Sequence, residues 1–294
     1  MNSFGRIFRV QIFGESHGEL VGVLIDGCPA GIPLNPTLFQ EDLARRRGGQ
    51  QKGTTPRVEE DAPLLKTGVF AEKTTGAPLA ILFENKNTRS SDYEKIRQIP
   101  RPGHADFVAH QKFGGFEDYR GGGHFSGRLT ACLVAAGVVA KQLVGSIEIT
   151  ATLMEVGGEN SIEKGIDKAI AQQDSVGGIV ECVVKGLPIG LGEPFFDSVE
   201  SLLAHAIFSI PAVRGIEFGT GFAAARMFGS EHNDSIIATD GTTATNHAGG
   251  VVGGLTNGNE IKFRVAIKPT SSTPQQQKSL NTATGEQEVF LVKG

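Results

Sequence analysis

Residues 130–144, TACLVAAGVVAKQLV, decide how the rest of the chain is read. The run is apolar almost all round and too long for a strand, so it predicts a buried helix. On both sides of it the pattern changes to short β-branched runs. Residues 7–13 (IFRVQIF), 21–26 (VGVLID) and 79–84 (LAILFE) precede it, and 147–154, 178–185 and 261–267 follow; all read as strands. Further helices are expected over 36–47, stopped by Gly48-Gly49, over the amphipathic 162–173, and over 198–208 with Ser198 and Ser201 near its cap. Residues 48–57 read as a mobile loop. The elements do not alternate as βαβ units, so the expected fold class is α+β rather than a doubly wound sheet. No linker composition interrupts 1–294, and one domain is expected.

The chain has 294 residues, 39% hydrophobic and 20% charged, with length enough for a substantial core. A net charge of −4 argues against general nucleic-acid binding while leaving room for a local basic cleft. The longest apolar stretch, around 134–140, is broken by glycine, and no run approaches the length of a membrane span. The N-terminus, MNSFGRIFRVQIFGESHG, carries no apolar core of a signal peptide. Cys28, Cys132 and Cys182 are odd in number and far apart, so neither disulfides nor a CxxC metal site are expected. These features together predict a cytoplasmic protein with reduced thiols and no metal centre.

Just ahead of the apolar helix, residues 101–130 hold three histidines, three arginines and seven glycines. Histidine suits proton transfer near neutrality, and glycine lets backbone N–H groups approach a ligand, so Gly121-Gly122-Gly123 suggests a site for an anion. His104, in RPGHAD, has Asp106 nearby to orient its ring, or is a turn histidine bonded to backbone. His124 lies in GGGHF with space around it, whereas His110 reads as structural or surface. Upstream, GESHG places Ser16 and His17 at a strand end; adjacent residues do not form a nucleophile–base pair, so no serine hydrolase is implied. Arg45, Arg46 and Arg47, with Lys52 and Arg57, are either a solvated helix end or a phosphate- and carboxylate-binding group. Residues 217–224, EFGTGFAA, match a dinucleotide fingerprint with Asp240 downstream, which offers an NAD-dependent oxidoreductase as an alternative. GGVVGGLTNG (249–258) and KPTSS (268–272) read as hairpin connections or as phosphate-binding loops.

The order GESHG, DLARRR, TTPR, TTGAP, RSSDYEKI, RPGHADF, DYRGGGHFSGRLTA, LGEPFFDSVES, FSIPAVRGIEFG, NHAGGVVGG and KPTSS closely resembles the chorismate synthase family, from about Phe4 to the end of the chain. The resemblance implies a single α+β sandwich of antiparallel sheets around helices, assembled as a homotetramer. It implies the anti 1,4-elimination of phosphate from 5-enolpyruvylshikimate 3-phosphate to give chorismate, with reduced FMN and no net redox change. His17 then matches the acid that protonates the departing phosphate, His104 the acid on the flavin side, and Ser16 a hydroxyl relay. FMN contacts carry over onto His124, Phe125, Ser126, Ala212, Gly253, Lys268, Pro269, Thr270, Ser271 and Ser272. Arg46 foremost, with Arg45, Arg47 and Lys52, matches binders of the anionic substrate, or of NADPH in members that reduce their own flavin.

The chain departs from the family pattern in two places. His124 and Phe125 stand where many members have arginine and serine, which makes any charge there depend on pH. FMN affinity is therefore expected to fall as pH rises through the titration of His124. The chain also ends at Val292-Lys293-Gly294, where the family typically continues into Arg-His-Asp-Pro and a further helix. That reading expects a C-terminally truncated chain lacking the aspartate partner of Ser16, with activity impaired or lost; a non-catalytic remnant is the corresponding alternative.

Overall fold

The computed structural model describes residues 2–49, 52–55, 57–88, 93 and 97–291, so Gln50, Gln51 and Pro56 of the expected 48–57 loop, most of the RSSDYEKI motif and the last three residues lie outside it. The chain forms two compact units, residues 1–145 with 271–294, and residues 146–270.

The first unit is built on a five-stranded antiparallel sheet that runs, edge to edge, Ser3–Phe4, Arg9–Gly14, Leu20–Asp26, Leu79–Glu84 and Leu64–Thr67. In the two central strands every second side chain points to one face. Val21, Val23, Ile25, Leu79, Ile81 and Phe83 are all fully buried there. The helix Thr130–Val144 covers that face with Ala131, Cys132, Ala135, Ala136, Val138 and Val139, small enough to let helix and sheet approach closely. Phe39 and Leu43, from the turn Pro36–Phe39 and the helix Gln40–Arg46, complete this core. Burying Phe83 alone contributes about 2–3 kcal/mol by area.

The core helix continues the turn Gly127–Leu129, and this adds to its apolar length. The combined segment Gly127–Val144 has 18 residues and a mean hydropathy of 1.4, long and apolar enough to cross a bilayer. This corrects the expectation that no run approaches that length. Valine, leucine and alanine, most of them buried in the core of the first unit, account for that hydropathy.

The second unit carries a four-stranded antiparallel sheet in the order Val213–Phe218, Ile261–Ile267, Gly178–Lys185, Glu148–Val156. Helix Ile162–Ala171 packs on Glu148–Val156, and helix Val199–Phe208 packs on Val213–Phe218. Both start on serine caps: Ser161 accepts from the Lys164 N–H, and Ser198 from the Ser201 N–H at 3.1 Å. Val213, Val251, Ile261, Phe263 and Val265 form the core. In both units antiparallel sheets are covered by helices, the α+β arrangement expected from the sequence.

The dinucleotide alternative fails here. The strand Val213–Phe218 runs antiparallel to its neighbour, and Gly221–Arg226 is a short 3-10 turn rather than a helix. The Glu217 carboxylate accepts from the Phe222 N–H at 3.0 Å, closing the place where a pyrophosphate would meet a helix N-terminus. Glycine spacing alone carried that match; the parallel βαβ context it requires is absent.

Candidate active site

Strand Arg9–Gly14 ends at Gly14, whose φ of +95° starts the reversal into Leu20–Asp26. A Cβ at Gly14 would lie 2.4 Å from the Leu20 carbonyl oxygen, so only glycine permits this hairpin. The turn carries Ser16 and His17. Ser16 is fully buried, and its N–H donates to the Gly123 carbonyl at 3.1 Å, tying the turn to the triple-glycine loop. Asn85 anchors the same turn by donating from Nδ2 to the carbonyls of Glu15 and Gly18.

Gly121, Gly122 and Gly123 all have positive φ, at 60°, 81° and 51°. A Cβ on Gly121 would fall 2.1 Å from the His17 ring, and one on Gly122 would fall 2.9 Å from the His104 ring. The loop thus needs glycine for space as well as conformation, because two histidines from distant parts of the chain rest on its backbone. The Tyr93 ring meets His17 edge-on, with centroids 5.2 Å apart.

His104 follows the Pro102-Gly103 turn and hydrogen-bonds through Nδ1 to the Asp106 carboxylate at 2.6 Å. Asp106 is also gripped by Arg101, with Nε donating at 2.7 Å and Nη2 at 2.8 Å, while Arg101 Nη1 donates to Ser272 Oγ at 3.1 Å. Burial by itself would raise the Asp106 pKa. The bonds from Arg101 and His104 outweigh it and hold the carboxyl well below the usual range. The His17 pKa is lowered too, by burial first and then by the Arg57 guanidinium, and for a base this favours the neutral ring. Its Nδ1 is buried without a hydrogen-bond partner among the described residues.

Beside His104 lies a cavity of about 300 Å³, lined in part by Tyr93, Arg97, Arg101, Tyr119, Gly122 and Phe125. Its walls combine aromatic faces with guanidinium groups, which suits a flat anionic ligand. His110, expected to be structural, pairs with Glu117 at 3.0 Å on the rim of the same cavity.

The remaining sequence-derived residues divide between the units. His124 bonds through Nδ1 to the Gly14 carbonyl at 2.9 Å and through Nε2 to Asn2 Oδ1 at 3.1 Å. Ser126 caps the turn before the core helix, accepting from the Arg128 N–H. Ser271 and Ser272 also belong to the first unit, Ser271 accepting from Gln277 Nε2 at 3.3 Å. Ala212, Gly253, Lys268, Pro269 and Thr270 belong to the second unit. There the Lys268 N–H donates to the Ala212 carbonyl at 2.9 Å, and Thr270 accepts from Ser175 Oγ at 2.7 Å. Gly253 sits at the tip of the Val251–Val252 and Leu255–Thr256 hairpin.

The cationic run is dispersed. Arg45 pairs with Asp42 at the surface, Arg47 donates to the Glu60 carbonyl, and Lys52 is exposed. Arg46 is a strut: it donates to Asp61 at 3.0 Å, to Thr130 Oγ1 at 3.1 Å and to the Gly127 carbonyl at 3.0 Å. Asp61, with no exposed side-chain surface, also pairs with Arg128. Sequence reading did not single out Arg101, Glu59, Asp61 or Arg128. Only the short RPGHAD motif, with Arg101 and Asp106 either side of a Pro-Gly turn, carried a local signal for one of these pairings.

Comparison with known proteins places the chain in one family. The profile of the chorismate synthase family matches residues 8–294. A chorismate synthase of Chitinophaga pinensis is 70% identical over 295 residues, covering 100% of this chain and 89% of the relative. One from Dehalococcoides mccartyi is 43% identical, again over 100% of this chain and 89% of its own length. A solved crystal structure of chorismate synthase superposes with a TM-score of 0.72 at 29% identity, covering 90% of this chain and 85% of that one. The chain belongs to the chorismate synthase family.

Proposed function

We propose that the site around Gly121 and Gly122 performs the anti 1,4-elimination of phosphate from 5-enolpyruvylshikimate 3-phosphate, yielding chorismate, with reduced FMN as cofactor. The enzyme is a lyase, as its family membership states. The observation that carries the placement is the convergence of His17 and His104 on one glycine loop beside the cavity.

The residues present fit a flavin phosphate. The cavity offers Tyr93, Tyr119 and Phe125 for a flat ring and Arg97 for negative charge. Within the first unit, His124, Phe125, Ser126, Ser271 and Ser272 would hold it. When bound, reduced FMN supplies electron density for C–O cleavage and recovers it. His17 then delivers a proton to the departing phosphate from its ring nitrogen. His104, braced through Nδ1–H by the Asp106 carboxylate, keeps a fixed ring orientation, and when it carries both protons its Nε2–H can donate to developing negative charge. Ser16 relays a proton through its hydroxyl. Arg57 and Arg120, each paired with a carboxylate (Glu59 and Asp118), lie near enough to His17 to act on its charge.

Among Arg45, Arg46, Arg47 and Lys52, we assign the exposed Arg45 and Lys52 to NADPH or to the outer part of the substrate path, Arg45 while paired with Asp42. A homotetramer is supported by large exposed aromatic residues on the second unit, among them Phe195, Phe196, Phe222 and Phe228; light scattering would read four times the chain mass. Three free thiols support a reducing compartment such as the cytoplasm.

The test is an anaerobic absorbance assay for chorismate with and without reduced FMN. Product in the reduced-flavin arm alone is the expected result. No product in either arm would overturn the proposal and favour a non-catalytic binder; replacing the chemical reductant by NADPH asks whether the protein reduces its own flavin.

A further inference from the structure

The strand Leu79–Glu84 ends beside the turn that carries Ser16 and His17. Its ladder with Leu20–Asp26 runs one step further, where the Asn85 N–H donates to the Glu19 carbonyl at 3.0 Å. That bond fixes the Asn85 backbone, and the side chain reaches the turn. Nδ2 uses both of its protons there, donating to the Gly18 carbonyl at 2.8 Å and to the Glu15 carbonyl at 3.0 Å. These two carbonyls flank Ser16 and His17 in the chain, so a single amide group holds the turn at both ends.

Arg128 decides which way that amide faces. Its Nε donates to Asn85 Oδ1 at 2.9 Å, and a guanidinium can only donate. The amide oxygen therefore faces Arg128, and the amide nitrogen faces the two carbonyls. Arg128 has no freedom to turn. Its side chain is 3% exposed, Nη1 pairs with buried Asp61, and Nη2 donates to the Glu84 carbonyl at 3.2 Å. A planar fork held at all three nitrogens keeps its plane. Asp61 is gripped from its other oxygen by Arg46 at 3.0 Å. Hydrogen bonds thus run unbroken from Arg46 through Asp61, Arg128 and Asn85 to the turn whose His17 ring lies against Gly121.

We propose that Asn85 is a positioning residue for the elimination: its amide, oriented by Arg128, holds the turn 15–18 so that His17 stays in register over the glycine loop. The inference rests on the reading that His17 acts in that reaction. Aspartate has nearly the shape of asparagine and keeps an acceptor for Arg128 Nε, yet it has no proton for either carbonyl. Two carbonyl oxygens would then face a carboxylate oxygen, and the turn would move away from it.

The test compares wild type, Asn85→Ala and Asn85→Asp in chorismate formation with reduced FMN. Both variants are expected to lower kcat roughly tenfold or more, since moving a reacting group by about 1 Å suffices for such a loss. KM should stay within about threefold of wild type. Asn85→Asp, although it keeps the partner of Arg128, should not recover kcat. In the flavin-free protein, NMR titration of Asn85→Ala should show the His17 pKa rising towards the ordinary histidine value, as the ring leaves the burial that lowers it. A purely structural role of Asn85 would not move that one ring.

Wild-type kcat in Asn85→Ala would overturn the proposal. So would a recovered kcat in Asn85→Asp, which would make the bond to Arg128 the part that matters. A loss of kcat with an unmoved His17 pKa would mean that Asn85 acts other than through His17, again against the proposal. A rise in KM with kcat preserved would also count against it. Wild-type kcat in His17→Ala is a separate failure, that of the underlying reading of His17. If Asn85→Ala does not fold, Asn85→Asp is judged alone on kcat and KM under the same criteria.

Discussion

His17 and His104 rest against neighbouring glycines of one loop: a Cβ at Gly121 would lie 2.1 Å from the first ring, and a Cβ at Gly122 would lie 2.9 Å from the second. The spacing of the two rings is therefore set by a backbone that tolerates no side chain. The residues themselves are 87 positions apart in sequence, 104 less 17.

Gly121→Ala should place a methyl group in the His17 ring and force alanine to φ +60°. Displacing the ring by about 1 Å is expected to cost on the order of 100-fold in kcat. The conformational penalty adds about 1–2 kcal/mol of destabilisation. Turnover and thermal unfolding measured together check this. Wild-type kcat in a folded Gly121→Ala protein would show that His17 does not depend on this contact.

Asp106→Asn should leave the Arg101 guanidinium, only 5% exposed, without its carboxylate. A loss of about 3 kcal/mol is expected at neutral pH. The Asp106 pKa is lowered in the folded state, so its stabilisation is fully present above the unfolded carboxyl pKa of about 3.9. It is lost as pH falls through the folded value. Urea unfolding of both proteins should therefore show a constant gap above about pH 4 that narrows below it. A gap that closes already between about pH 7 and 5 would contradict this assignment.

His17 has a lowered pKa in the folded, ligand-free protein, from burial and then Arg57. The folded ring is harder to protonate than the unfolded one, so His17 costs stability as pH falls below about 6.5. His17→Asn should flatten that decline. Acting as an acid requires the anionic substrate to raise the pKa again. NMR titration of the ring with 5-enolpyruvylshikimate 3-phosphate, in the absence of flavin, should show the rise; an unmoved pKa would count against the acid role.

Arg46→Ala separates two readings of the cationic helix end. Asp61 lies wholly buried between Arg46 and Arg128, so loss of Arg46 should destabilise by about 3 kcal/mol or more. The substrate KM is expected to stay within about threefold of wild type. A stable variant with a sharply raised KM would return Arg46 to substrate binding.

Much of the fold was legible because its signals are local. The strands Leu79–Glu84, Gly178–Lys185 and Ile261–Ile267 and the helix Thr130–Val144 have the bounds expected from their apolar runs. The helix Asp106–Phe113 and the hairpin of Gln277–Leu280 with Gln287–Phe290 were not read, since both are short and polar in pattern. GTGFAA misled for the same reason in reverse: a local spacing matched while its non-local context did not.

By itself the sequence determined the α+β class, the glycine loop and the identities of Ser16, His17 and His104, because each is written in contiguous motifs. It left open which charges meet. Arg46 and Arg57 look alike in DLARRR and TTPR, yet one is a strut on buried Asp61 and the other a clamp on Ser16. That division follows from where Glu59, Asp61 and Asn85 are carried by the sheet edge and the loops beside it. The contacts that decide it, Arg46 with Asp61, Asp61 with Arg128 and Arg57 with Ser16, join residues 15, 67 and 41 positions apart, and no spacing rule along the chain encodes them. The triple glycine shows both sides of the matter: its flexibility is plain in the sequence, while the reason for it, two histidine rings on its backbone, exists only once the chain has folded.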